Sequence, residues 1–163
     1  MTNLSVTFFL VAPDGHYVPE GQLESNFKAY RGGLAGADRP SGGVTIEDSL
    51  TGSRTEIGDM LESAVLQLCL MSVPDLAAGK SFDIDLMRHI EQINLTFENG
   101  RVKIAGEETS PEWYPRDQLL PALVACAERY LAFLEKLGDE RPDVLELVRT
   151  VRAQVARAKA ALE

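Results

Sequence analysis

Residues Ser53 to Ser72, SRTEIGDMLESAVLQLCLMS, decide how this chain is read. Taken as a helix, Ile57, Leu61, Ala64, Leu68 and Met71 recur at alternating four- and three-residue steps and make one apolar stripe. Met60, Val65, Cys69 and Leu70 widen that stripe until the C-terminal half keeps almost no polar surface. Ser53 followed by Glu56 has the spacing of a capping box, in which each side chain satisfies a backbone N–H left open at a helix start. Val73 precedes Pro74 and is pushed out of the helical region, so the helix is predicted to stop there. A helix apolar on so many sides requires cover on more than one of them. The economical cover is a sheet beneath and helices around it.

The rest of the sequence offers that cover. Leu4 to Ala12, LSVTFFLVA, is β-branched and aromatic and reads as an interior strand, followed by a Pro13-Asp14-Gly15 turn and a returning segment at His16-Tyr17-Val18. Phe27, Tyr30 and Leu34 are anchors for either a short helix or an extended segment, and Gly36 to Gly43 reads as loop. Val44 to Leu50 is strand-like. In Ser81 to Met87, Phe82, Ile84 and Leu86 alternate with Asp83 and Asp85, the pattern of a half-buried strand. Asn99-Gly100 is the preferred pair for a type I′ hairpin turn. That turn sets Phe97 opposite Val102, Leu95 opposite Ile104, Glu98 opposite Arg101 and Thr96 opposite Lys103, giving one apolar and one charged face. Gly106 to Tyr114 reads as a polar connector. Asp117 is placed to cap a helix whose apolar face is Leu120, Leu123, Val124, Ala127, Tyr130, Leu131 and Leu134, ended by Gly138. Pro142 opens a last helix with a seam of Val144, Val148, Val151, Val155, Ala158 and Leu162. The expected fold is a single α+β domain over residues 1–163: an antiparallel sheet packed on a central apolar helix, with a C-terminal αα-hairpin.

Composition narrows the function classes. The chain has 163 residues, a formal net charge of −9 and a pI near 4.8. Non-specific nucleic-acid binding needs clustered Lys and Arg, so nucleic acid is not an expected partner. No stretch is long enough to span a bilayer, which removes a membrane role, and residues 1–3 lack the basic start of a signal peptide; a cytoplasmic location is expected. Cys69 and Cys126 both fall in apolar helical stretches and read as small buried hydrophobes rather than as a disulfide or zinc pair.

No chemistry-bearing motif emerges. His16 and His89 lack partners at metal-ligand spacing, serine-nucleophile motifs are absent, and the Gly-rich loop lacks the Walker spacing and is followed by a strand. No catalytic residue, cofactor or metal is expected. What remains is charge. Residues 44–112 hold thirteen acidic and five basic side chains, against eight of each in residues 113–163. Glu47, Asp48, Asp83, Asp85, Glu98, Glu107 and Glu108 are candidates for an acidic recognition surface, beside the simpler reading of a solvated face. Trp113 and Tyr114 are candidates for interface anchors or for a plug between layers, and the plug is the favoured of the two.

The segment order GVTIEDSLTG, LQLCLMSVPDLAAGKSFDIDLM, INLTFENGRVKIAG and YPRDQLLPALVACAERYLAFLEKL, over roughly residues 43–137, resembles small bacterial proteins of polymorphic-toxin immunity type. The resemblance implies a non-enzymatic protein that binds a cognate toxin, basic in the case of a nuclease, and holds it inert in a stoichiometric complex. It carries over no functional residue, because such families vary most where they touch their toxins. A small-molecule-binding α+β domain and a self-associating module, a homodimer through the C-terminal helix, are the other readings.

Overall fold

The computed structural model of the protein describes residues 3–12, 14–23, 40–86 and 91–163. The expectations at Phe27, Tyr30, Leu34 and His89, and for Pro13 and Met87, fall outside the described residues.

Among the described residues, two four-stranded antiparallel sheets and three long helical elements make an α+β architecture. The first sheet holds β1 (Leu4–Val11), β2 (Tyr17–Pro19), β3 (Ser41–Asp48) and β4 (Arg54–Met60) in the order β2-β1-β3-β4. The second holds β5 (Phe82–Asp85), β6 (Gln92–Glu98), β7 (Arg101–Ala105) and β8 (Glu112–Pro115) in sequence order. Between the sheets in sequence lies α1, continuous from 61 to 77 but changing pitch: an α turn Leu61–Ala64, a π-helical stretch Val65–Met71 and an α stretch Ser72–Ala77. The C-terminal hairpin is α2 (Arg116–Leu137) and α3 (Pro142–Ala161).

The central helix is real, but its start is not where the stripe suggests. Residues 54–60 are β4, hydrogen-bonded to β3 with Val44 opposite Ile57. Along β4, Thr55, Ile57 and Asp59 are buried while Arg54 and Glu56 are exposed, a period of two that the polar Thr55 and Asp59 disguise in the sequence. No capping box forms: Glu56 instead accepts hydrogen bonds from Arg54, at 3.2 Å, and from the Tyr17 hydroxyl. Nor does the helix stop at Val73. It runs through Pro74 to Ala77. Proline removes one N–H and crowds the carbonyl four residues back, and the wider π turn immediately before it is a form of helix that accommodates such a defect. Ser72 Oγ also caps the carbonyl of Leu68 at 2.6 Å.

Helix α1 then does what the apolar run requires. Its first turn packs on β1, β3 and β4, its π stretch on α2 and α3, and its last turns on β5 and β6. Leu61, Val65, Leu68, Cys69, Leu70, Val73 and Leu76 are all fully buried, and one contiguous apolar cluster joins both sheets to the helices. Met71, placed on the stripe by spacing, is 44% exposed. The π stretch changes the number of residues per turn, which shifts the facing of later residues relative to α-helical spacing.

Glycine is required at two adjacent points in the first sheet: a Cβ on Gly42 would lie 2.3 Å from the Phe9 carbonyl oxygen. A Cβ on Gly43 would lie 2.1 Å from the Ile57 carbonyl oxygen and 2.8 Å from the Phe9 ring. The Gly42-Gly43 pair, expected as loop, is therefore strand, with Phe9 laid over it and Tyr17 stacked on Phe9 at 4.3 Å.

The hairpin forms as expected, with Asn99 and Gly100 both at positive φ and Phe97 opposite Val102, Leu95 opposite Ile104. In α2 no side chain caps the N-terminus: Asp117 lies in the first turn, where its charge complements the helix dipole. Gly138 ends α2 in the left-handed conformation. The α3 seam of Val144, Leu147, Val151, Val155 and Ala158 is buried against α2 and α1, so these residues are already occupied within the chain; Leu162 stays 37% exposed.

Candidate protein-binding face

Alternation along four strands places the charged residues of the second sheet. Phe82, Ile84, Ile93, Leu95, Val102, Ile104 and Tyr114 share its inner face toward α1 and α2. The intervening residues share the other face: Asp83 and Asp85 on β5, Gln92, Asn94, Thr96 and Glu98 on β6, Arg101 and Lys103 on β7, Trp113 on β8. No described helix covers this face, and most of its side chains are exposed.

Its polar groups are ordered. Asn94 Nδ2 donates to Asp83 Oδ1 at 2.6 Å, and Gln92 Nε2 reaches Asp85 Oδ1 at 3.4 Å. The Lys103 ammonium lies 5.7 Å from the centre of the Trp113 ring, within cation–π reach. The face is thus acidic at the β5 edge and carries a cation-braced indole near the β8 edge.

The β5 edge is closed in an unusual way. Gln67, on the π stretch of α1, donates through Nε2 to the Asp85 carbonyl at 2.9 Å and accepts the Asp85 N–H through Oε1 at 3.1 Å. The amide imitates a neighbouring strand for one residue, which blunts an edge otherwise open to pairing. At the end of β5, the start of β6 and the end of β7 lies a cleft of about 630 Å³, lined by Asp85, Glu91, Asn94, Gly106 and Glu107 among others. Glu91 is structural there: its Oε1 accepts from the Glu108 N–H at 2.9 Å and the Thr109 hydroxyl at 3.1 Å, fixing the loop after β7.

Of the nine residues singled out by sequence, Asp83, Asp85, Glu98 and Trp113 therefore share one face, and Glu107 and Glu108 flank the Asp85 rim or its loop. Glu47 is elsewhere, on the first sheet, in an exposed pair with Arg54 at 3.1 Å. Two members must be withdrawn from the surface set. Asp48 is 6% exposed and caps the turn after β3, accepting the Leu50 N–H at 2.9 Å. Tyr114 is fully buried, its hydroxyl 2.6 Å from Thr55 Oγ1; burial pushes its pKa up. It is the plug between layers, and Trp113, one residue along the strand, points the opposite way. The connector expected at Gly106 to Tyr114 is in part strand β8, pairing Lys103 with Trp113 and Val102 with Tyr114.

Lys103, Gln67 and Glu91 were not singled out by sequence. Lys103 was visible as the outward partner of Thr96 in the hairpin; nothing in the local sequence signals the roles of Gln67 and Glu91, which depend on contacts across 18 and 17 residues.

His16 is exposed in the turn, its N–H bonded to Asp14 Oδ1 at 2.9 Å. Among the described residues no group of three His, Cys, Asp or Glu side chains converges to hold a metal, and no helix is long and apolar enough to cross a membrane. Cys69 and Cys126 are buried free thiols; burial, and then the hydrogen bond to Cys126, push the Cys69 thiol well above its ordinary value. No protein-family model, curated protein or solved structure matches the chain.

Proposed function

We propose that this protein is a cytoplasmic, non-catalytic inhibitor of immunity type, which neutralises a basic protein toxin by a one-to-one complex on the outer face of the second sheet. The observation that supports this reading is the gathering of Asp83, Asp85, Glu98 and Trp113 on one uncovered, antiparallel face. The acidic edge would steer a cationic partner toward the sheet, and Trp113 would supply the anchor that is desolvated on docking. A sheet face backed by a buried core holds these groups without further ordering, so little conformational entropy is lost on binding.

The test is isothermal titration of the purified protein against the product of the adjacent coding gene, with an unrelated protein of matched basic charge as control. The proposal expects one-to-one binding to the neighbour's product alone. Equal binding of both, or of neither, would defeat it.

A further inference from the structure

A second surface lies on the helices. Between α1 and the start of α3 runs an open groove of about 500 Å³. Its apolar lining is Met60, Leu66, Met71 and Leu147, and Met71 is 44% exposed. The carboxylates of Glu62, Asp143 and Glu146 also line it with the neutral Ser63, Gln67 and Thr150, and among the described residues no lysine, arginine or histidine does. Glu146 is engaged by the neighbouring Arg149 at 2.7 Å, an exposed pair of the kind that contributes little and is readily exchanged.

We propose that this groove is a docking site for an amphipathic, cationic α-helix of a partner protein. The chemistry of the walls argues for that occupant. An amphipathic helix presents apolar side chains at three- and four-residue spacing with polar ones beside them. An apolar trough whose charged lining residues, among those described, are all carboxylates is complementary to such a helix when its flanking residues are Lys or Arg. Two of the four apolar lining residues are methionines, whose unbranched, polarizable side chains reshape around varied apolar anchors, as grooves that take helices commonly require. The floor is rigid: Leu147 is nearly buried, and Gln67 on the groove wall is tied to Ser63 at 2.8 Å and to β5. This inference does not depend on the partner being a toxin or on the sheet face.

The experiment uses the full-length protein and a fluorescein-labelled Leu/Lys amphipathic helical peptide, read by anisotropy at low salt, with the Leu/Glu version as control. The Leu/Lys peptide is expected to bind and the Leu/Glu peptide not. Met71→Glu separates docking from bulk charge attraction, because the two predict opposite signs. The variant makes an acidic protein more acidic, so simple attraction would strengthen binding, whereas charging the groove floor is expected to weaken it by about tenfold or more. Glu62→Lys is expected to weaken it too, and Trp113→Ala to leave it unchanged. Circular dichroism checks that each variant is folded; Met71 and Glu62 are both outside the buried core. Unchanged or tighter binding by Met71→Glu would overturn the proposal. So would a concentration-dependent mass in sedimentation that Met71→Glu abolishes, since the occupant would then be a second copy of this chain. Success here with failure of the neighbour titration would leave the helix groove standing and remove the immunity reading.

Discussion

The bond between Tyr114 and Thr55 joins the inner faces of the two sheets, and removing one side of it is the sharpest probe of how they are held. The two hydroxyls are 2.6 Å apart, Tyr114 is fully buried and Thr55 is 3% exposed. Tyr114→Phe keeps the ring and deletes the oxygen, leaving the Thr55 hydroxyl buried without its partner. A stranded buried polar group costs about 1–3 kcal/mol, whereas replacing both partners by apolar groups of the same shape is close to neutral. Thr55→Val is the matching change and strands the phenol in the same way. Each single variant should therefore lose about 1–3 kcal/mol, and the double variant much less than the sum. The assay is urea unfolding followed by circular dichroism, with the four proteins forming a double-mutant cycle and comparable m-values confirming that the unfolded reference is unchanged. A coupling energy of about 0.5–3 kcal/mol is expected. Additive single-variant losses would show that the two hydroxyls do not depend on each other and that the sheets are not pinned at this point.

Other expectations follow from the same geometry. Leu68→Ala, in the fully buried π stretch, should lose about 2–5 kcal/mol. Met71→Ala, three residues on and 44% exposed, should change stability by only about 0.5 kcal/mol in the same urea assay. Gly100→Val forces a β-branched side chain into a turn position at φ +77, and about 1–3 kcal/mol of backbone strain should appear as a lower urea midpoint. Alkaline pH should destabilise the fold. Burial raises the Cys69 thiol above its ordinary 9.0 and the Tyr114 phenol above its ordinary 10.0, so the unfolded chain releases these protons first. The stability they contribute is intact below pH 9.0 and declines as the pH climbs toward the folded-state values. Thermal melts at increasing pH should fall less steeply for Cys69→Ala than for the wild type, and equal slopes would remove Cys69 as a cause.

How much was legible depended on how local the determinant is. The β6–β7 hairpin was readable to the residue because Asn99-Gly100 encodes its own backbone geometry and the register follows from it. The αα-hairpin was readable because Gly138 and Pro142 punctuate long periodic helices. Residues 54–60 were misread because Ile57, Met60 and Leu61 satisfy a helical spacing, while the buried strand positions Thr55, Ile57 and Asp59 are polar at two of three and hide their period of two. The choice between them is made by pairing with β3, and β3 in turn depends on Gly43 admitting the β4 backbone. β8 is only four residues long, with too few positions to show a period, and is strand because β7 offers it an edge. The candidate face was legible in parity alone. Asp83 and Asp85 were read as outward, but their sharing of a face with Trp113 required the order β5-β6-β7-β8. Asp48 was counted with the surface although its partner, the Leu50 N–H, lies only two residues on, and Tyr114 was left between plug and anchor, with the plug favoured, because its partner Thr55 lies 59 residues away.

Trp113 is the only tryptophan in the chain, so its emission reports directly on whether the outer sheet face is occupied. The decisive measurement is a fluorescence titration with the adjacent gene's product, corrected by subtracting the same titration of Trp113→Phe. Docking on this face predicts that the difference spectrum shifts or quenches and saturates at one equivalent. A complex that forms at full occupancy while the difference spectrum stays flat would put the partner elsewhere on the molecule.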